Sequence, residues 1–316
     1  MIRFRKNVEL APLSTFRIGG RAEYFCSVGK PEELVKAVGL AKKLKLPYKI
    51  FAGGSNVVFP DGTLKGLLIR FSGGWLTRKG NIVMADGGVS LARVVSSSIG
   101  WGLKGLETLS GIPGTLGGAI VGNAGAYGHS ISEIVRRVEI WDPFDEASLD
   151  STRDRQGRRV WFKKSECQFG YRDSVFKHKN ILVLRAELTF GKGKKKELKK
   201  ISREIIKTRE NKYRPGLKCP GSFFKNILAE NVSKKSLKLI DKKKIIEGKI
   251  PAGYLLEEAG AKGMKLGGVR IAKFHGNLLV NSGRAKAKDV KRMADILKRR
   301  VHKKFGIRLE EEVRYF

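Results

Sequence analysis

Between Pro31 and Leu46 the apolar residues Leu34, Val38 and Ala41 share one face of a 3.6-residue period, behind a first turn of Pro31, Glu32 and Glu33. A proline and two acids suit the unpaired N–H groups and positive dipole of a helix start, so a helix is predicted there. The apolar run Tyr48 to Phe51 then stops at Gly53-Gly54-Ser55-Asn56, which reads as a short strand and a tight polar turn. Gly66 to Phe71, Asn81 to Ala85 and Val138 to Trp141 are expected strands, and Leu91 to Ile99 an expected helix. Ile181 to Phe190 alternates as a strand does, and Ser202 to Lys212 reads as a charged connecting helix. The pattern restarts after Tyr213-Arg-Pro-Gly. A helix is predicted over Tyr254 to Ala259, with strands over Gly267 to Ile271, Asn277 to Asn281 and Ile307 to Tyr315. Between Arg284 and Lys304, Val290, Met293, Leu297 and Val301 mark a long amphipathic helix with a cationic outer face. Helices and strands are mixed rather than strictly alternating, which favours an α+β fold over a doubly wound sheet.

Composition narrows the class. With 316 residues and 41% hydrophobic content the chain can bury a substantial core in two or three domains. No apolar run approaches the roughly 18 residues of a membrane span, and MIRFRKNVELAPL carries no apolar segment before a cleavage site. No membrane insertion and no export are expected. Cys26, Cys167 and Cys219 are scattered and odd in number, which argues against a disulfide framework or zinc site and for a reducing cytoplasm. His129, His178, His275 and His302 are equally dispersed, so no metal is expected. The net charge of +35 is the one extreme. No zinc-finger, RNP or basic-zipper pattern accompanies it, so it reads as a lysine-rich surface rather than a nucleic-acid interface. A positive field also raises encounter rates with polyanionic ligands.

Candidate chemistry starts with the run Gly111 to Gly128, which holds seven glycines in eighteen residues among small apolar side chains. Glycine clusters of this kind occur where backbone takes positive φ or approaches another group closely, and a bound cofactor is the obvious candidate. Neither the Rossmann spacing nor a P-loop is present, so the run cannot name its ligand. Together with Gly53-Gly54-Ser55-Asn56 it could supply two anion-binding nests, as a diphosphate would need. Phe169 to Lys177 sets Arg172 and Lys177 beside Tyr171, apt for a carboxylate or phosphate. Gly221-Ser222-Phe223-Phe224-Lys225-Asn226 sets a serine after a glycine, without the G-x-S-x-G of a serine hydrolase. Glu310-Glu311-Glu312 places three carboxylates near the chain end.

Seven motifs in order carry a resemblance that none carries alone: TFRIGGRA from Thr15, AGGSNVV from Ala52, LSGIPGTLGG from Leu109, NAGAYG from Asn123, YRDSVFK from Tyr171, GSFFKN from Gly221 and LEEEVR from Leu309. Over residues 8 to 316 the chain resembles the UDP-N-acetylenolpyruvoylglucosamine reductases, flavoenzymes of peptidoglycan precursor synthesis. The resemblance implies an FAD domain of the vanillyl-alcohol-oxidase type in two lobes, 1–62 and 63–200, and a substrate domain over 213–316. It implies that hydride passes from NADPH to FAD N5 and on to C3 of an enolpyruvyl ether, with a proton added at C2. Arg172 matches the family's cation for the developing aci-carboxylate, Glu312 its carboxylate and Ser222 its proton donor. FAD would lie on Gly53, Gly54, Ser55, Asn56, Ser110, Gly111, Pro113, Gly114, Thr115, Gly118, Gly122 and Asn123. Tyr171, Lys212, Asn226 and Lys273 are candidates for the UDP-sugar. The short stretch from Leu188 to Lys218 lacks room for the tyrosine-bearing insertion of one subgroup, so the chain resembles the shorter second type. A monomer without a nucleic-acid partner is expected. The alternatives are another FAD oxidase or dehydrogenase of the superfamily, and a basic nucleic-acid-binding protein.

Overall fold

Residues 2–143 and 157–316 are described by the structure, a computed structural model of the chain. They divide into two units. The first is formed by Met1–Lys6, Glu23–Gly53 and Lys65–Asn211, the second by Asn7–Ala22, Gly54–Leu64 and Lys212–Phe316. The fold class is α+β, as the mixed order of elements predicts.

Alternation builds the first unit's five-stranded antiparallel sheet, in the order Arg158–Lys163, Val135–Asp142, Leu182–Thr189, Ile82–Asp86 and Leu76–Lys79. Val83, Ala85, Val138, Ile140, Ala186 and Leu188 are all buried and share one core with the helices Leu91–Gly100 and Leu116–Val121. Charges lie among the intervening positions. Arg185 opposes both Asp86 and Glu139 in the ladder and pairs with them at 3.0 and 3.2 Å. Asp86 is fully buried, so this pairing keeps a desolvated carboxylate from standing alone. The helix Pro31–Lys43 packs Leu34, Ala37, Val38 and Ala41 against Leu67, Ile69 and Phe71 of the strand Thr63–Phe71, which runs parallel to Tyr48–Phe51.

The second unit is organised by the helix Ala287–Phe305. Its Val290, Met293, Leu297 and Val301 stripe packs on the strands Val269–Ala272 and His275–Asn281 and on Leu255 and Leu256 of the helix Ala252–Glu258. Residues from the front of the chain complete this core: Phe16, Ile18 and Val58 are buried in it. Asp61 caps the helix from 226 positions away, its Oδ1 accepting from Ala287 N at 2.6 Å and its Oδ2 from Lys288 N at 3.1 Å.

Three expectations are corrected. The charged helix expected from Ser202 spans Lys195–Lys212, because lysines are good helix formers and Glu197 stabilises its first turn. The strand expected over Ile307 to Tyr315 shrinks to Arg314–Tyr315, parallel to Val57–Val58, while Ile307 and Leu309 are buried by packing rather than by a ladder. The glycine-rich run contains the helix Leu116–Val121, which its glycines conceal from propensity arguments.

Candidate active site

In the first unit the glycine-rich run is a backbone surface. Gly111 and Gly114 adopt φ of +75° and +122°, a region that side chains disfavour. Thr115 Oγ1 then accepts from Gly118 N at 3.2 Å and caps the short helix, which Leu116 and Ile120 bury against the sheet. Gly117 donates to Gly87 O at 2.8 Å, where a Cβ would lie 3.0 Å from that oxygen. A Cβ on Gly53 would fall 2.8 Å from Gly114 Cα, so these turns touch main chain to main chain. Gly111, Pro113 and Gly118 remain exposed, and Gly53, Gly114 and Gly122 half-buried. This surface, nearly free of side chains, fits a flat or diphosphate-bearing group laid directly on backbone. Buried Ser110 instead meets Ser202 of the Lys195–Lys212 helix, Oγ to Oγ, at 2.8 Å.

The arginine loop is fastened to the end of the short helix Leu116–Val121. Asn123 donates its side-chain N–H to Gly170 O at 2.7 Å, and Ser174 donates to Val121 O at 2.7 Å. Arg172, itself at φ +53°, donates to Asn123 O at 3.4 Å and to Gly125 O, and its guanidinium lies 5.4 Å from the Tyr171 ring centroid. Lys177 donates to the Arg172 carbonyl. Arg172, Tyr171 and Asn123 are therefore brought together, with the arginine held from both ends.

The second unit assembles the rest. Of the GGSN turn, Gly54 O accepts from Thr15 N at 3.0 Å, Ser55 O accepts from Thr15 Oγ1 at 3.4 Å, and Asn56 Nδ2 donates to Glu312 O at 3.0 Å. Glu312 N in turn donates to Phe223 O at 2.8 Å, which fixes the carboxylate-bearing segment next to Ser222 along the chain. Phe223 and Phe224 are fully buried, and the Asn277 side chain satisfies both Phe224 N and Phe224 O at 2.8 Å. Half-buried Ser222 follows Gly221 at φ +85° and places its Oγ 2.9 Å from the Tyr213 hydroxyl.

The three terminal glutamates have separate tasks. Glu310 pairs with Lys225, and Glu311 pairs with Lys298 and accepts from the Tyr315 hydroxyl at 2.6 Å. Burial and the Glu311 charge push the Tyr315 phenol well above its ordinary pKa. Asn226 Oδ1 accepts from Ala252 N at 3.2 Å, Lys212 Nζ lies 5.2 Å from the Tyr213 ring centroid, and Lys273 is exposed. Burial, with the charge of Lys212 added, pushes His275 from 6.5 down to about 4, and its neutral Nδ1 accepts from Asn277 N at 3.0 Å. Tyr213, His275 and Asn277 were not among the sequence candidates. Their partners lie from two to 63 residues away, and no motif flags them.

Comparisons with known proteins place this arrangement. The profile of an FAD binding domain matches residues 22–146, which contain the glycine surface, so the chain is an FAD-dependent oxidoreductase. The profile of the UDP-N-acetylenolpyruvoylglucosamine reductase C-terminal domain matches residues 211–316. A UDP-N-acetylenolpyruvoylglucosamine reductase of Solibacter usitatus is 39% identical over 97% of this chain and 94% of its own length. One of Prochlorococcus marinus is 30% identical over 99% and 98%. The crystal structure of the Thermus caldophilus reductase superposes with a TM-score of 0.74 at 29% identity, covering both chains fully. The chain belongs to the UDP-N-acetylenolpyruvoylglucosamine reductase family. Among the described residues no helix is long and apolar enough to cross a membrane.

Proposed function

We propose that this chain reduces the enolpyruvyl ether of UDP-N-acetylglucosamine enolpyruvate to UDP-N-acetylmuramate, as a cytoplasmic monomer with NADPH as reductant. FAD, when bound, would supply hydride chemistry between NADPH and C3 of the enolpyruvyl group. Gly53, Gly111, Pro113, Gly114, Gly118 and Gly122 would offer it main chain, with Gly54, Ser55 and Asn56 contributing from the neighbouring turn. Ser110, Thr115 and Asn123 support that surface through the hydrogen bonds described above. The buried free thiols fit a reducing compartment.

Hydride addition at C3 leaves charge on C2 and its carboxylate. Arg172, pre-aligned by the Asn123 and Gly125 carbonyls, meets the carboxylate and stabilises the aci-carboxylate that develops. Glu312 hydrogen-bonds the developing enol, a task that requires it to be protonated or to share a proton, and Ser222 delivers the proton to C2. Tyr171, Lys212, Asn226 and Lys273 would hold the UDP-sugar, the last three through its diphosphate and carbonyls, and Asn226 would present its amide N–H because its Oδ1 is engaged with Ala252. The observation that carries this reading is the Ser222 hydroxyl, held half-buried at 2.9 Å from a second hydroxyl within the domain matched by the family profile.

Ser222→Ala tests it in two half-reactions. NADPH-dependent flavin reduction should be nearly intact, while flavin reoxidation by the enolpyruvyl substrate slows by about a thousandfold. Equal slowing of both would refute the serine's role, and protein that releases no FAD on denaturation would refute the whole reading.

A further inference from the structure

We propose that Tyr213 is the positioning residue of Ser222 and resupplies the serine's proton, an inference that rests on Ser222 being the donor to C2. The two hydroxyl oxygens are 2.9 Å apart, within hydrogen-bond distance of each other. The phenol is held rigidly. Its ring packs on the cluster Cys219, Ala272, Leu278 and Val280, and Lys212 Nζ lies 5.2 Å from the ring centroid on the preceding residue. Gly221, at φ +85°, turns the chain immediately before Ser222, and buried Phe223 anchors it immediately after. A serine in that setting keeps one freedom, rotation about its own side-chain torsion, and the hydrogen bond to Tyr213 selects among those rotamers.

The chemistry gives the pair a direction. When the electron pair on C2 takes the Ser222 proton, a C–H bond forms, the serine O–H breaks and its electrons remain on Oγ. An alkoxide is a far stronger base than a phenolate. The Tyr213 O–H therefore breaks and the serine O–H re-forms. Tyr213 is half-buried rather than sealed, so its oxygen regains a proton from water. No alkoxide has to persist, which lowers the barrier for so weak an acid as serine.

Tyr213→Phe keeps the ring and removes only the hydroxyl. FAD content, melting temperature, flavin reduction by NADPH and the KM for the enolpyruvyl substrate should be unchanged. The kcat of flavin reoxidation should fall by about tenfold to a hundredfold, with a larger solvent deuterium isotope effect. Adding Tyr213→Phe to Ser222→Ala should cost nothing further, because the tyrosine acts through the serine. Unchanged reoxidation in Tyr213→Phe beside slow Ser222→Ala overturns the tyrosine's role and leaves the serine's standing. Fast reoxidation in Ser222→Ala removes both. Loss of FAD, or equal slowing of both half-reactions in Tyr213→Phe, marks a structural prop and also overturns the proposal.

Discussion

The glycine surface of the first unit and the Ser222 turn of the second use glycine in opposite ways. At Gly111 to Gly118 the side chains are stripped from the outward face, and main chain itself is the exposed chemistry. At Gly221 a single glycine turns the chain so that the next side chain can be the chemistry, and the segments around it are tied by hydrogen bonds from Tyr213, Asn277 and Asn56 and by buried Phe223. Where backbone meets backbone, as at Gly53 and Gly117, there is no room for an added atom. A site made of hydrogen-bonded side chains tolerates shape changes but not lost partners. The two regions should therefore fail differently under mutation.

The largest effect is expected at Gly114→Val. Its φ of +122° costs a β-branched residue about 3 kcal/mol, against a total stability of about 5–15 kcal/mol, so the chain should fold and yet lose FAD. Absorbance near the flavin bands after purification reads this directly, and a yellow, fully loaded variant would break the comparison. In the second unit Asn277→Ala removes no volume that a ligand needs but strips partners from Phe224 N and Phe224 O, both buried. A stability loss of about 3 kcal/mol in denaturant titration is expected, with FAD retained.

A smaller effect is expected from pH. His275 titrates near 4 in the folded chain against 6.5 ordinarily, so between those values the unfolded chain binds more protons. Stability is complete above the window and falls as pH drops through it. His275→Gln should flatten that slope, and an unchanged slope would show that other groups set it. The smallest effect is Lys194→Ala, at an exposed pair with Glu197 at 3.3 Å. A change within about 0.5 kcal/mol is expected, which calibrates the other measurements.

Legibility in the sequence divides along the same line. The helix Pro31–Lys43, the strand Tyr48–Phe51 and the helix Leu91–Gly100 were readable because local period and end signals agree with the buried face. The glycine surface was readable as a need for close approach, since Gly53 and Gly114 announce it by composition alone. The helix Leu116–Val121 was not, because it depends on the Thr115 cap and on Leu116 and Ile120 finding a core supplied by distant strands. The candidates Ser222 and Glu312 came from ordered motifs. Their setting, Tyr213 and Asn277 included, depends on contacts across tens of residues that no local pattern encodes.

The long-distance cap on the helix Ala287–Phe305 bears on how the protein is made. Translation delivers Phe16, Ile18, Val58 and Asp61 early, and the helix and strands that bury or accept them only at the end. The second unit therefore has no complete core until almost the whole chain has left the ribosome, while the strands of the first unit's sheet are all available once Thr189 has emerged. The segments around Phe16 and Val58 are thus made long before the residues that bury them.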